Sequence, residues 1–380
     1  MSLLFSPYAL RDMNLRNRVV VAPMLTGSAV EGKATPWHLV HVGRFALGGA
    51  GLIMMESTKV EARGRGTPGD LGLWDDAFVP QLAEIVDFAH CYGSAIGIQL
   101  GHTGRKGSVY HDAQGRPIPQ DIIAPSAIAH MEGRPVPRAL ELSEIPEVIE
   151  AFVQAARRAR EAGYDTIELH GAHGYLLHQF LSPVANQRTD RYGGSEHNRK
   201  RFMLEVTEAV RAAWPQSKPL FMRLSCEDLA GVGMDQIVPL ARELKAMGVD
   251  AIDCSSGGMR DDMREIPGVA PDSFGYQVGY SDEIRRGAGI PTMAVGHIIH
   301  PHQAEAILAQ GRADVIAIGR EMLYNPNWPV DAAQKLGMDP DFILVPESVR
   351  GPLASRRRRF KGSLSTFGAQ WREEPIDETA

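Results

Sequence analysis

Residues 291–320 read PTMAVGHIIHPHQAEAILAQGRADVIAIGR. Two short apolar runs, Pro291–Val295 and Asp314–Ile318, flank a stretch, Pro301–Gln310, whose apolar residues recur at helical spacing. Runs that are apolar at nearly every position belong to strands covered on both faces, and the order strand–helix–strand is that of a parallel sheet. The same unit recurs towards the N-terminus. Further strands are expected at Val19–Ala22, Gly51–Glu56, Ala95–Leu100, Thr166–His170, Pro219–Leu224 and Ala251–Cys254. Helical patterns occupy Val79–Tyr92, Ile145–Ala162, Asn198–Ala213 and Met234–Met247, with a weaker one near Ser281–Arg286.

An open doubly wound sheet and a closed barrel both accommodate this alternation, but eight units favour the barrel. A dinucleotide-binding open sheet would place GxGxxG directly after its first strand; here Pro23–Met24–Leu25 follows. The expected fold is therefore α/β, a single (β/α)8 TIM barrel over residues 1–350. A Gly- and Pro-rich insertion, Gly101–Glu144, follows the third strand and is placed to cap the mouth. Residues 351–380 form a C-terminal tail carrying the run Arg356–Arg359.

Composition narrows the function classes. Hydrophobic residues at 44% and charged residues at 23% are ordinary for globular proteins, which excludes disordered, collagenous and coiled-coil chains. A net charge of −6 argues against a nucleic-acid partner. No apolar run approaches the about 20 residues that span a bilayer, and the N-terminus lacks the layout of a secretory signal. A cytoplasmic protein acting on a small molecule, away from membranes, is expected. Three scattered cysteines form neither a disulfide framework nor a four-thiolate cluster.

Barrel enzymes carry their chemistry at the C-terminal ends of the strands. Polar residues gather there: Glu56, Gln99, His170 and Arg223, then Gly296 after the seventh strand and Gly319–Arg320 after the eighth. Polar groups inside a packed barrel are costly unless paired or bound to a ligand, so a ligand site is expected at this rim. Glycines after strands 7 and 8 mark the usual phosphate site of the fold. Arg223 needs an anionic partner, either Glu168 or a ligand whose charge develops during reaction. In His170–Gly171–Ala172–His173–Gly174–Tyr175, two imidazoles can grip one oxygen while a phenol delivers a proton. A metal at His173 and His178 is disfavoured, because no carboxylate or cysteine completes the ligand set.

These residues carry a resemblance. Leu4–Phe5–Ser6–Pro7, Asn17–Arg18, Ala22–Pro23–Met24, Gly97–Ile98–Gln99–Leu100, His102–Gly104–Arg105–Lys106, Ala124–Pro125–Ser126, HGAHGYLLHQFLSPVANQRTDRYGG from His170, and Gly311–Arg312–Ala313–Asp314 through Arg320 are similar to the old yellow enzyme family of FMN-dependent ene-reductases. The compact, thermophilic-like bacterial branch is the nearest. The resemblance implies FMN across the mouth, contacting Pro23, Met24, Leu25, Ser57, Gln99 and Arg223, with its phosphate at Val295, Gly296, Gly319 and Arg320. It implies His170 and His173 on a carbonyl oxygen, Tyr175 as proton donor, NADPH or NADH as reductant, and a homo-oligomer (dimer or tetramer).

The match departs at Leu25, where the branch has cysteine and other branches threonine, and at Gly27, where tyrosine is common. Leucine makes no hydrogen bond to the flavin, so an altered flavin potential and a larger, more apolar substrate are expected. Three alternatives stay open. The same fold works oxidatively as a dehydrogenase or demethylase, it acts on a CoA thioester, or a metal-dependent barrel hydrolase or lyase uses the two histidines.

Overall fold

The computed structural model describes residues 2–111, 114–118, 120–260 and 273–359. Eight parallel strands close into a barrel: β1 Val19–Val21, β2 Leu52–Lys59, β3 Ala95–Gly101, β4 Thr166–Gly171, β5 Leu220–Ser225, β6 Ala251–Ser255, β7 Thr292–Ala294 and β8 Val315–Ile318. Every strand pairs with its sequence neighbour, and β8 pairs with β1 through Ile318↔Val21. Each strand is followed by a helix: α1 Pro36–Leu47, α2 Val79–Cys91, α3 Ile145–Glu161, α4 Arg201–Ala213, α5 Met234–Ala246, α6 Val278–Ala288, α7 Pro301–Ala309 and α8 Trp328–Lys335. A further helix, α9 Glu347–Arg359, crosses the boundary at which the tail was expected to begin. Trp371 and the rest of the tail lie outside the described residues.

Why the helices lie outside is plain in α3. Its buried residues include Ile145, Val148, Phe152, Ala155, Ala156 and Ala159, a stripe recurring every three or four positions. Pro146 starts the helix where its missing N–H is no loss. Truncating the fully buried Phe152 would cost about 3–5 kcal/mol.

Alternation within the strands sorts residues between the helical shell and the barrel interior. Val20, Leu52, Met54, Phe221, Ala251, Met293, Val315 and Ala317 fill the interior from below, together with Leu10, Met13 and Leu15. Leu10, Met13 and Leu15 come from a two-stranded hairpin, Tyr8–Leu10 with Met13–Leu15, that sequence patterning did not reveal. Further along β3 to β6, the inward residues turn polar: Gln99, Glu168, Arg223 and Asp253. Pairing brings Glu168 beside Gln99, His170 beside Arg223, and Arg223 beside Asp253. The barrel thus has an apolar floor and a charged ceiling.

Strand β2 departs from this alternation. Met55 pairs with Ile98 but Ser57 pairs with Gln99, so Glu56 is bulged out and parity shifts by one. Ser57 and Lys59 thereby turn inward, beside Gln99 and Gly101. Glu56, expected at the ligand rim, instead points between β2 and α1. There it accepts from the Thr26 hydroxyl at 2.6 Å and lies 3.6 Å from His38 Nε2. The insertion after β3 lies against the loops that follow β4 and β6: Arg105 N–H donates to Gln179 Oε1 at 3.1 Å, and Arg105 Nη2 to the Met259 carbonyl at 3.0 Å.

Candidate active site

The charged ceiling comes first. Gln99 Nε2 donates to Glu168 Oε1 at 2.7 Å. The expected Arg223–Glu168 pair is replaced by another: Arg223 Nε lies 3.2 Å from Asp253 Oδ2 on the adjacent strand. The reason is register, since Asp253 is the cross-strand neighbour of Arg223 whereas Glu168 sits level with Phe221. Burial, reinforced by Asp253, pushes the Glu168 carboxyl up to about 8, and burial also raises Asp253. Two carboxyls facing one guanidinium share their charge unequally, and Glu168 retains its proton more readily than a free carboxyl. Glu168 Oε2, Arg223 Nε and both Asp253 oxygens find no hydrogen-bond partner in the protein.

Above the ceiling, β4 ends in the HGAHGY turn. The rings of His170 and His173 stand edge to face with centroids 5.2 Å apart, and His170 stands so to Tyr175 at 4.7 Å. His173 adopts φ 57°, a left-handed conformation that folds the loop back over the strand end. Its backbone N–H donates to Ser225 Oγ at 2.9 Å. Close approach of Gly174 to the Gly258 carbonyl leaves no room for a Cβ. Burial comes first in holding both histidines well below the ordinary imidazole range, followed by the charges of His173 and Arg223 for His170 and of Arg223 and His178 for His173. Both are neutral at neutral pH and present one N–H each.

Their partners set which nitrogen that is. Ala172 N–H approaches His170 Nδ1 at 3.4 Å, leaving the proton on Nε2. Gln277 Nε2 donates to Ser255 Oγ at 3.3 Å, and Ser255 Oγ lies 2.7 Å from His173 Nε2. The short contact ties Nε2 to the serine, and in the tautomer in which the serine donates to Nε2 the His173 proton stands on Nδ1. In the sequence, Ser255 stands within the family-like stretch Asp253–Ser256 but carries no assigned role, and Gln277 was missed. Ser255 stands one residue beyond the strand end expected there, and no local pattern marks Gln277.

His178 is fully buried and turned away from His173. It accepts from Gly174 N–H at 3.0 Å and lies 3.3 Å from Asp228 Oδ2, which it holds below the usual carboxylate range. It therefore props the turn and leaves His173 without a metal-binding companion. Among the described residues, no three His, Cys, Asp or Glu side chains converge on one point.

On the β7–β8 side, a cavity of about 340 Å³ is lined by Arg223, Tyr276, Val295, Gly296, Gly319 and Arg320 among others. Gly296 has φ 108°, and a Cβ there would strike Gln277 Oε1 at 2.7 Å. An added Cβ at Gly319 would meet nothing nearer than Met24 Sδ at 3.6 Å, so backbone is open to a ligand there. Arg320 Nη2 rests 2.5 Å from His297 Nε2. The cavity thus runs from the Arg223 guanidinium, paired with Asp253 behind it, to a surface arginine beside bare backbone. A flat, polar-edged ring with a phosphate tail fits that sequence of donors. Pro23 and Met24 are half-buried at the end of β1, and Leu25 is 46% exposed.

The profile of the NADH:flavin oxidoreductase / NADH oxidase family matches residues 3–339. The chain is 44% identical over 341 residues to an NADPH dehydrogenase of Geobacillus thermodenitrificans, covering 89% of this chain and 95% of that one. Among solved structures, an old yellow enzyme homologue from Zymomonas mobilis superposes with a TM-score of 0.73 at 30% identity, over 87% of this chain and 92% of that one. This chain belongs to the old yellow enzyme family. It is a flavin oxidoreductase with FMN as cofactor and NAD(P)H as reductant. A 2-naphthoyl-CoA reductase shares the family's fold with it, at a TM-score of 0.80 and 24% identity, over 90% of this chain and 53% of that one.

Set against the family, the first-strand end has one further feature. The Thr26 hydroxyl is held by Glu56 at 2.6 Å and its N–H by the same carboxylate at 3.2 Å. Thr26 is therefore not available to replace the hydrogen-bonding residue for which Leu25 substitutes. Gly27 has φ 63° and open space where a side chain would stand.

Proposed function

We propose that the protein reduces the activated C=C bond of an α,β-unsaturated carbonyl compound at the expense of NADPH. The observation that carries this reading is the neutral pair His170–His173, each with one free N–H, beside the phenol of Tyr175. Two imidazole donors converging on a carbonyl oxygen bond it more strongly as it becomes enolate-like, so they favour the transition state over the bound substrate. Tyr175, pushed up to about 12 by burial, keeps its proton until a carbon base forms beside it. Gln99 and Arg223 face the cofactor ring in this reading, with Ser57 at its edge and Pro23, Met24 and Leu25 along it. Val295, Gly296, Gly319 and Arg320 hold its phosphate. FMN, when bound, takes a hydride from NADPH and passes it to the substrate.

The open flank at Leu25 and Gly27 suits an acceptor bulkier than a simple cyclic enone. The test is an anaerobic titration of the purified protein with NADPH and then cyclohexenone, followed by visible absorption. Bleaching and then recovery of the yellow colour is expected. Bleaching by NADPH without recovery by any enone, bulky ones included, sinks the reading.

A further inference from the structure

Lys59 is a charged side chain with no assigned task. The bulge at Glu56 turns it into the mouth of the barrel at the top of β2, level with Gly101 and next to Ser57. Its side chain has no solvent exposure even with no ligand bound. Nζ donates to Ser57 Oγ at 3.0 Å and lies 3.5 Å from Asp70 Oδ2. Asp70 in turn accepts from Gly66 N–H at 2.8 Å and from the Thr67 hydroxyl at 2.7 Å. Burial pulls the Lys59 ammonium below its ordinary range, and the charges of Asp70 and Glu56 together with the contact to Asp70 oppose that shift and favour the charged form.

A buried ion pair is a poor device for stability, because desolvating two charges offsets most of their attraction. This one sits where charge changes during reaction. Nζ is 5.3 Å from the centroid of the Tyr175 ring, and Tyr175 is half-buried where Lys59 is fully buried. A substrate therefore touches Tyr175 and not Lys59, which is sealed behind it.

We propose that Lys59 is a positioning residue for Tyr175, an ammonium held behind the phenol to stabilise the tyrosinate left when the proton goes to the substrate. The inference rests on the reading of Tyr175 as proton donor. In that step the phenol O–H bond and the substrate C=C π bond break, and the π electron pair takes the proton to form the α-C–H bond. The O–H electron pair stays on the phenolate oxygen. The electron pair for the neighbouring carbon arrives as hydride supplied ultimately by NADPH, and water returns a proton to the tyrosinate afterwards. Other charges facing the ring are Asp70, which opposes ionisation, Arg223, which favours it, and Lys106, whose Nζ is 5.8 Å from the centroid. His170 beside it is neutral.

A unit charge at this range in a partly buried setting alters the ionisation constant of the phenol about a hundredfold. With half of that developed in the transition state, the rate changes about tenfold. Lys59→Met and Lys59→Gln, with FMN content and melting temperature checked, are compared with the parent by anaerobic stopped flow. Flavin reoxidation by an enone is expected to slow about tenfold, with a much smaller effect on reduction by NADPH and with recovery in Lys59→Arg. In a Tyr175→Phe background the same substitutions should have no further effect.

A second readout is independent of turnover. With 3,5-difluorotyrosine at position 175, the 19F titration midpoint should rise by about two pH units in Lys59→Gln. An unmoved midpoint, or an equal slowing in the Tyr175→Phe background, overturns the role of Lys59 and leaves Tyr175 as donor. Tyr175→Phe that reoxidises at the parent rate overturns the donor reading itself, and this proposal with it.

Discussion

The two histidines make a quantitative prediction about ligand binding. A phenolate stacked on oxidised flavin mimics the enolate-like oxygen of the reaction, and its complex absorbs at long wavelength by charge transfer. Under the proposed function, that oxygen would accept one N–H from His170 and one from His173. Hydrogen bonds to a charged group contribute about 1.5–3 kcal/mol each. Each 1.4 kcal/mol is about a tenfold change in Kd. His170→Ala and His173→Ala should therefore each weaken binding of p-chlorophenol by about tenfold to a hundredfold.

Ser255→Ala adds a sharper expectation. It leaves both rings in place but frees His173 Nε2 to take the proton from Nδ1. The affinity should fall by a few-fold to about tenfold, while truncation of Ser256, which binds only Gln277, should change little. The assay is a titration of the charge-transfer band repeated across pH, with Kd expressed for the phenolate. Both histidines are held neutral well below pH 6.5 by burial, so no inflection near 6.5 should appear. Unchanged Kd values in both alanine variants would refute the assignment of the oxygen site. An unchanged value in Ser255→Ala alone would refute only the tautomer argument.

Other expectations follow from the same coordinates. Arg320→Ala should weaken FMN about tenfold to a hundredfold and leave riboflavin binding unaltered, since only the phosphate is lost; ultrafiltration of the two complexes measures this. Thr26→Val removes a 2.6 Å hydrogen bond from the buried Glu56 and should lower unfolding free energy by about 1–3 kcal/mol in urea titrations, with flavin still bound. His41 is depressed to about 4 by burial and by Arg44, so the folded protein binds fewer protons there than the unfolded chain. Its contribution is complete above pH 6.5 and is lost as pH falls towards 4; His41→Gln should flatten that part of the melting-temperature profile.

Much of this architecture was legible because its determinants are local. Apolar runs gave all eight strands to within three residues, since a strand covered on both faces carries its signature in its own composition. The HGAHGY turn and the glycine after β7 were readable for a similar reason: left-handed or crowded backbone demands glycine at Gly174 and Gly296. Helix α1 and the N-terminal hairpin were missed. The hairpin strands are only three residues long, too short for periodicity to register. The partner of Arg223 was misread because parity specifies which face a residue takes but not which strand lies beside it. Asp253 was eligible by parity and nearer by register.

The bulge at Glu56 had the largest consequence for the site. Sequence alternation running through Leu52, Met54 and Glu56 puts the glutamate inside the barrel and Lys59 outside it. One extra residue in β2 reverses both assignments, because side chains in a strand alternate with a period of two. The glutamate then serves the loop after β1, and the inward places go to Ser57 and Lys59. Apolar side chains do not announce such a shift, since β2 is buried on both faces and its runs read alike in either register. Polar residues do: a lysine and a glutamate three positions apart in a fully buried strand cannot both be satisfied without separate partners. Asp70 for one and Thr26 for the other are those partners, each on a different loop at the mouth.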